Sequence, residues 1–314
     1  MASWTSLPVE LKQEIVDYLY YTDKQSLSQC SKSDRALVAK CRWVFDRIEY
    51  WIHRDDQKMV LEHRYRRFCF GDSKIDDGTI VEVYQRFEEA GEENWSLKSK
   101  NTVVKRDFED LAGEKLNEVL KAQNYKIRDF RLNLNTKVPV FNRPISVKQL
   151  DLTLEVPGVS IPEFFQMINS FKPNIDFLEI RLGFEIAGMG KLEAVRKAKR
   201  LTISGISGLD EEQLVELEAK RLDVYSMDVS RKAMGKFLNK RYDMEIECQF
   251  DVNAIGEEQV EEGFECVKVE EEEDAVLAVS GAWKLTKPGS KMTCYLVDLD
   301  QSNVQGRIFK TKEG

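Results

Sequence analysis

The strongest constraint on this chain is a short unit that recurs between residues 125 and 250. Phe130-Arg131-Leu132-Asn133-Leu134 alternates apolar and polar residues. The alternation returns as Leu150-Asp151-Leu152-Thr153-Leu154, Leu178-Glu179-Ile180-Arg181-Leu182, Leu201-Thr202-Ile203 and Leu222-Asp223-Val224. The first apolar positions step by 20, 28, 23 and 21 residues, and Met244-Glu245-Ile246-Glu247-Cys248 offers a sixth member. A period of two belongs to a strand with one buried face. The intervals carry helix signals. Ile161 to Phe171 is one, with Pro162 near its start, and Leu192 to Ala198 is another. Asp210-Glu211-Glu212-Gln213 has capping-box spacing, with Leu209 and Leu214 placed as a hydrophobic staple. Ser230 can cap a helix through Met234, Phe237 and Leu238. One strand and one helix per unit suits a solenoid, in which each unit buries its apolar face against its neighbours. An ordinary α/β domain with evenly spaced parallel strands fits the same pattern.

The flanks read differently. Leu7, Leu11, Ile15 and Leu19 recur every four residues and make one apolar helix ridge, with Tyr18 beside them. Pro8 suits the first helical position and Glu10 the first-turn dipole. Asp23 can cap a second helix carrying Leu27 and Cys30, and Ser31-Lys32-Ser33-Asp34 opens a third through Leu37 and Val38. Three short helices in about forty residues bury too little apolar surface to stand alone. Beyond Trp43 the pattern turns extended, with Val60 to Phe70 strand-like. Ile80, Val83, Tyr84 and Phe87 fit either strand or helix. Residues 88–105 are polar and Glu-rich, and a loop is expected there. Phe108, Leu111, Leu116, Val119 and Leu120 restore helical spacing. In the tail, Phe264 to Val269, Val276 to Leu285, Thr293 to Leu299 and Arg307 to Phe309 are strand-like, with Lys287-Pro288-Gly289-Ser290 as a turn. A small antiparallel sheet closing one end of the solenoid is expected.

Enzymatic chemistry has little to work with. The chain has 2 histidines, His53 and His63, and neither has a cysteine or carboxylate at metal-ligand spacing. Gly188-Met189-Gly190-Lys191 lacks the earlier glycine and the following Ser or Thr of a phosphate loop. The 6 cysteines (Cys30, Cys41, Cys69, Cys248, Cys266, Cys294) form no C-x-x-C pair and read as reduced thiols. No catalytic residue, metal or cofactor is expected. The net charge of -8 argues against nucleic acid as a partner. The basic cluster Arg42, Arg47, Arg54, Lys58, Arg64, Arg66 and Arg67, with Trp43, Trp51 and Tyr65, also holds Asp46, Glu49, Asp55, Asp56 and Glu62, as a solvated sheet edge would. The acidic run Glu270 to Asp274, with Glu257, Glu258, Glu261 and Glu262, reads as a solvated loop. No apolar stretch reaches the roughly 20 residues of a membrane span, and no secretory signal opens the chain, so the Asn94-Trp95-Ser96 sequon is expected to be silent.

The N-terminal pattern Trp4-Thr5-Ser6-Leu7-Pro8-Val9-Glu10-Leu11, then Ile15, Tyr18-Leu19, Asp23, Leu27 and Cys30-Ser31-Lys32, resembles an F-box. The Cys30-Ser31-Lys32-Ser33 ending is similar to the large diverged F-box families of nematodes. The Val-Cys-x-x-Trp that often closes an F-box is absent, leaving Trp43 further on. The repeat period lies near that of leucine-rich repeats, without the asparagine after most strands. The combined expectation is an α/β protein. It has a three-helix F-box (1–45), a mixed strand/helix linker or N-terminal cap (46–124), a leucine-rich-repeat-like domain (125–250) and C-terminal antiparallel strands (251–314).

The resemblance implies a non-catalytic substrate receptor of an SCF-type ubiquitin ligase, cytoplasmic or nuclear. It would bind a Skp-type adaptor, and through it cullin and RING subunits, by Leu7, Pro8, Leu11, Ile15, Leu19 and Leu27. Some of these six must pack the F-box itself. A protein substrate would meet the strand face opposite the core, where alternation sends Arg131, Asn133, Asp151, Thr153, Glu179, Arg181, Thr202, Asp223 and Tyr225. Tyr225 and Arg181 suit hot spots, since aromatic and Arg side chains are enriched there. A leucine-rich-repeat scaffold without a ligase role is the alternative.

Overall fold

A computed structural model describes residues 4–19, 21–40, 47–53, 58–63, 66–72, 78–89, 92–121, 126–134, 137–155, 159–205, 208–225, 229–253, 264–268, 283–299 and 303–310. The chain divides into two units, Met1–Arg131 and Leu132–Gly314.

The first unit opens with a 3-10 turn at Trp4–Ser6 and three helices, α1 (Val9–Tyr18), α2 (Tyr21–Cys30) and α3 (Lys32–Lys40). Pro8 stands at the N-cap, one position earlier than expected. Its carbonyl accepts the first helical bond from Lys12 at 3.1 Å. Asp23 lies inside the first turn of α2 rather than capping it, because Leu19 is already extended and the next helix begins at Tyr21. Ser31 does cap α3: its hydroxyl accepts from the Asp34 amide at 3.0 Å and donates to the Asp34 carboxylate at 2.6 Å. Val16, Leu37 and Val38 form the helical core, with Trp4, Leu19 and Leu27 packed against it.

Five strands follow as an antiparallel meander: β1 (Arg47–His53), β2 (Lys58–His63), β3 (Arg66–Asp72), β4 (Gly78–Glu89) and β5 (Glu92–Val104). Ile80 to Phe87 resolves as strand. Residues 92–104, expected as loop, form β5. Its exposed Lys98 to Thr102 carry no apolar signal, but backbone pairing with β4 is indifferent to side-chain polarity. A charged strand also suits a sheet edge, where it discourages pairing with other chains. Helix α4 (Phe108–Lys121) packs on β2, β3 and β4 by burying Ala112, Leu116, Val119 and Leu120. Each Leu or Val so covered contributes roughly 1.5–3 kcal/mol. Strand β6 (Ile127–Leu134) carries the boundary between the units.

In the second unit each apolar alternation becomes a parallel strand. They are β7 (Val147–Leu154), β8 (Phe177–Leu182), β9 (Arg200–Ser204), β10 (Arg221–Tyr225) and β11 (Cys248–Asn253). Parallel neighbours need crossovers, here α5 (Ile161–Asn169) after β7, α6 (Glu193–Arg196) after β8, α7 (Glu211–Glu216) after β9 and α8 (Arg231–Asp243) after β10. The expected helix from Leu192 to Ala198 shrinks to a single turn, α6. Asp210 and Ser230 cap α7 and α8 by accepting from the amides of Gln213 (2.8 Å) and Ala233 (3.1 Å). The expected strand at Met244–Cys248 lies four residues later. Met244 ends α8 and Glu245 takes a positive φ of 50°, so the turn consumes the first part of that alternation.

The loops entering the strands stack on one another. Amides of Lys199, Lys220 and Gln249 donate to carbonyls of Ile175 (2.8 Å), Lys199 (2.8 Å) and Lys220 (2.9 Å) at the entry to the preceding strand. Gly205, with φ 97°, closes β9 where an added Cβ would strike the Leu182 carbonyl. The tail supplies β12 (Glu265–Lys268), β13 (Trp283–Thr286), β14 (Met292–Leu299) and β15 (Asn303–Lys310), all antiparallel. Residues 276–282 of the expected second tail segment lie outside the described residues. The last strand, β15, pairs with β11, and the order runs on through β14 and β13 to β12.

Candidate functional site

Two surfaces stand out, one in each unit. In the helical segment, α1 turns Val9, Leu11 and Ile15 to solvent, 59%, 47% and 43% exposed, while Val16 beside them is fully covered. Of the six positions expected at an adaptor, Pro8, Leu11 and Ile15 face outward. Leu7 is half-buried, and Leu19 and Leu27 pack on the helical core. Val9 is exposed as well, but two residues before Leu11 it lies on another side of the helix. Trp4 and Asp34 brace the segment from behind. The indole N–H donates to the Asp34 carboxylate at 2.9 Å. Hydrogen bonds first from Ser31 and then from Trp4 hold that carboxyl below the usual aspartate range.

The second surface is the polar face of β8 to β11 and β15. Register places the residue before each apolar triplet on this face, in one row: Phe177 on β8, then Arg200, Arg221 and Gln249, and Arg307 on β15. Two residues along each strand lies a second row: Asp151, Glu179, Thr202, Asp223, Asp251 and Gln305. A basic row therefore runs beside an acidic one. All of these but Asp151 line a depression of about 380 Å³ that also touches Tyr225.

Asp223 holds the centre, only 8% exposed. Its Oδ2 lies 3.3 Å from Arg221 Nε and 3.7 Å from Arg200 Nη2, and accepts from the Thr202 hydroxyl at 3.3 Å. A buried carboxylate needs such compensation, since stripping its water is costly. Arg200 also stacks on Phe177, 4.8 Å from the ring centre. Asp251 accepts from the Gln305 amide at 2.8 Å. Burial first, and then the charges of Asp251 and Asp223, raise the Tyr225 phenol above its ordinary value.

The expected target-facing residues divide. Thr202, Asp223 and Tyr225 belong to the depression with Glu179. Arg181 pairs with Glu179 (2.7 Å) and Asp151 (3.6 Å) at its margin. Thr153 is buried by its neighbours rather than presented. Arg131 belongs to the first unit, where it pairs with Asp129 (3.2 Å) and Glu49 (3.5 Å), and Asn133 is half-buried on β6. Arg200, Arg221 and Gln249 were legible in principle, because alternation sends the residue before a triplet to the same face. Arg307 was not, because its place depends on which strand β15 joins.

Elsewhere, His53 and His63 end β1 and β2, at opposite ends of their hairpin. Among the described residues no group of three or more His, Cys, Asp and Glu side chains is placed to hold a metal ion. None of the described helices is long and apolar enough to cross a membrane. The acidic run lies outside the described residues, as do Arg42, Arg54 and Arg64. Arg67 of the basic cluster pairs with Glu62 at 2.8 Å and stacks on Trp95 at 4.4 Å.

Compared with known proteins, residues 4–45 match the F-box domain family. No curated protein matches the chain, and no solved structure does.

Proposed function

With an F-box domain at residues 4–45, we propose that this chain is the substrate-recognition subunit of an SCF-type cullin–RING ubiquitin ligase. The observation that carries the reading is the outward pair Leu11 and Ile15, four residues apart on one face of α1 and within the matched segment. Large apolar side chains grouped on one helix face lose free energy only when something covers them. A Skp-type adaptor is the cover an F-box takes, and it brings the cullin and RING subunits. The rest of the chain, including the leucine-rich-repeat-like segment 125–250, holds a protein substrate near the ubiquitin-loaded enzyme. The gain is effective concentration, with no chemistry by the chain itself. Stacked entry loops and evenly repeated parallel strands support the repeat reading, and the two-row face of β8 to β11 supports target binding. Free thiols at Cys30, Cys69, Cys248, Cys266 and Cys294 suit the reducing cytoplasm or nucleus.

Titration of the purified full chain with a Skp-type adaptor tests this. Saturable binding that is lost when the ridge is made acidic supports the receptor role. Absence of binding by the folded wild-type chain would leave a scaffold without a ligase role.

A further inference from the structure

We propose that the two-row face of β8 to β11 and β15 binds an extended target segment in which an acidic and a basic residue stand two positions apart. This rests on the reading of that face as the target-binding surface and names what it selects. The basic row offers Arg200, Arg221 and Arg307. Arg200 and Arg221 share one carboxylate, Asp223. No ion pair or hydrogen bond engages the Arg307 side chain among the described residues, and it is exposed. The acidic row offers Asp251, whose Oδ2 already accepts from Gln305, and at its margin Glu179, with which Arg181 already pairs. Arg200 Nε and Asp251 Oδ1 are shielded from solvent without a hydrogen-bond partner among the described residues, one donor and one acceptor, one in each row.

The spacing selects the partner's conformation and direction. The rows are two residues apart on every strand, which is about 6.6 Å. An extended segment lying along the strands presents its residues i and i+2 downward at the same spacing. Laid across the strands, the same segment would meet rows repeating every 4.8 Å or so, and its side chains would fall out of step. A polyanion fits less well: wherever its charges stray from the Arg row they meet Glu179, Asp223 and Asp251, and like charges so placed cost several kcal/mol in an interface. A segment carrying both charges satisfies both rows at once.

The test uses the full chain and a set of fluorescent nonapeptides of constant composition, one Glu and one Lys among Ser, Gly and Ala. The two charges are placed adjacent, two apart or three apart, in both orders. Glu-x-Glu and Lys-x-Lys peptides complete the set. Anisotropy titrations should show the two-apart arrangement, in one of its orders, binding at least about fivefold tighter than its isomers, with that preference fading as salt rises. Arg307→Glu removes a side chain that no other group relies on, so the fold should persist. It should abolish the preference and shift binding toward Lys-x-Lys, while Thr102→Glu on β5 of the other unit should change nothing. Equal binding of all isomers, no detectable binding, or a preference that survives Arg307→Glu would overturn the proposal. Adaptor titration of the wild-type chain, beside its peptide titrations, separates the two readings. Adaptor binding by wild type without peptide selectivity sinks this inference alone. Peptide selectivity without adaptor binding by wild type sinks the ligase role alone.

Discussion

Trp4 donates its indole N–H to Asp34 at 2.9 Å, so the turn at Trp4–Ser6 is tied to the head of the third helix, thirty residues on. The same carboxylate accepts from Ser31, which caps that helix. One aspartate thus joins a local cap to a tertiary closure. Trp4→Phe keeps an aromatic ring but removes the donor, and should lower the melting temperature. The pH dependence has a definite sign. The carboxyl is held low in the folded state, so its contribution is complete above the ordinary aspartate range and disappears as pH falls through the depressed value. Asp34→Asn should flatten that acid limb. Thermal melts of both variants between neutral and strongly acidic pH check this.

Leu11 and Ile15 form the exposed centre of the α1 ridge. Burying either side chain is worth roughly 1.5–3 kcal/mol, and burying a carboxylate in its place adds a desolvation penalty. Leu11→Asp and Ile15→Asp should each weaken adaptor binding by at least about 3 kcal/mol, over a hundredfold. Because both positions face solvent in the free chain, the melting temperature should barely move. Calorimetric titration beside thermal melts separates the two effects. A variant that loses stability together with affinity would place its side chain in the core instead.

Gly205 ends β9 with φ 97°, and a Cβ there would meet the Leu182 carbonyl of the preceding strand. Gly205→Ala combines a left-handed backbone, worth about 1–3 kcal/mol for a non-glycine residue, with that collision. Destabilisation of at least about 2 kcal/mol by urea denaturation is expected. Gly289, also at positive φ, has open space around it, so Gly289→Ala should lose only the backbone part.

Ser230 and Asp210 each satisfy an amide that its helix leaves bare. Ser230→Ala and Asp210→Ala should each cost about 1 kcal/mol. The Ser230 hydroxyl also donates to Glu211 at 2.9 Å, linking the two helix starts, so the double variant should fall short of the sum of the singles. A double-mutant cycle in urea measures the difference.

Burial pushes the Cys248 thiol up to about 11 and raises Cys294 in the same direction. The thiolate is the reactive form, so neither should alkylate in the native protein at neutral pH. Exposed Cys30 should react first. Peptide mapping after brief maleimide treatment, with and without denaturant, gives the order. Early labelling of Cys294 would contradict its full burial on β14.

Local chemistry set much of this protein in advance. The alternation of Leu178, Ile180 and Leu182, or of Leu201 and Ile203, dictates a strand with one buried face wherever it folds, because side chains alternate across any strand. Asp210 and Ser230 announce their helices because a bare amide needs an acceptor at a set distance along the chain. The N-terminal Leu-Pro opening and four-residue ridge likewise carry the F-box in a few dozen contiguous residues. Three things needed the tertiary structure. Residues 92–104 become a strand by pairing with β4, since Lys98 to Asn101 have no strand preference of their own. The α1 ridge separates into outward Leu11 and Ile15 and inward Leu19 only when α3 brings Leu37 and Val38 to one side. Arg307 joins Arg200 and Arg221 in one row because β15, more than fifty residues beyond β11, pairs beside it. Periodicity determines which way a side chain points on its own strand. Which strand lies next to it is settled by long-range backbone pairing and shared burial, and no local pattern encodes that.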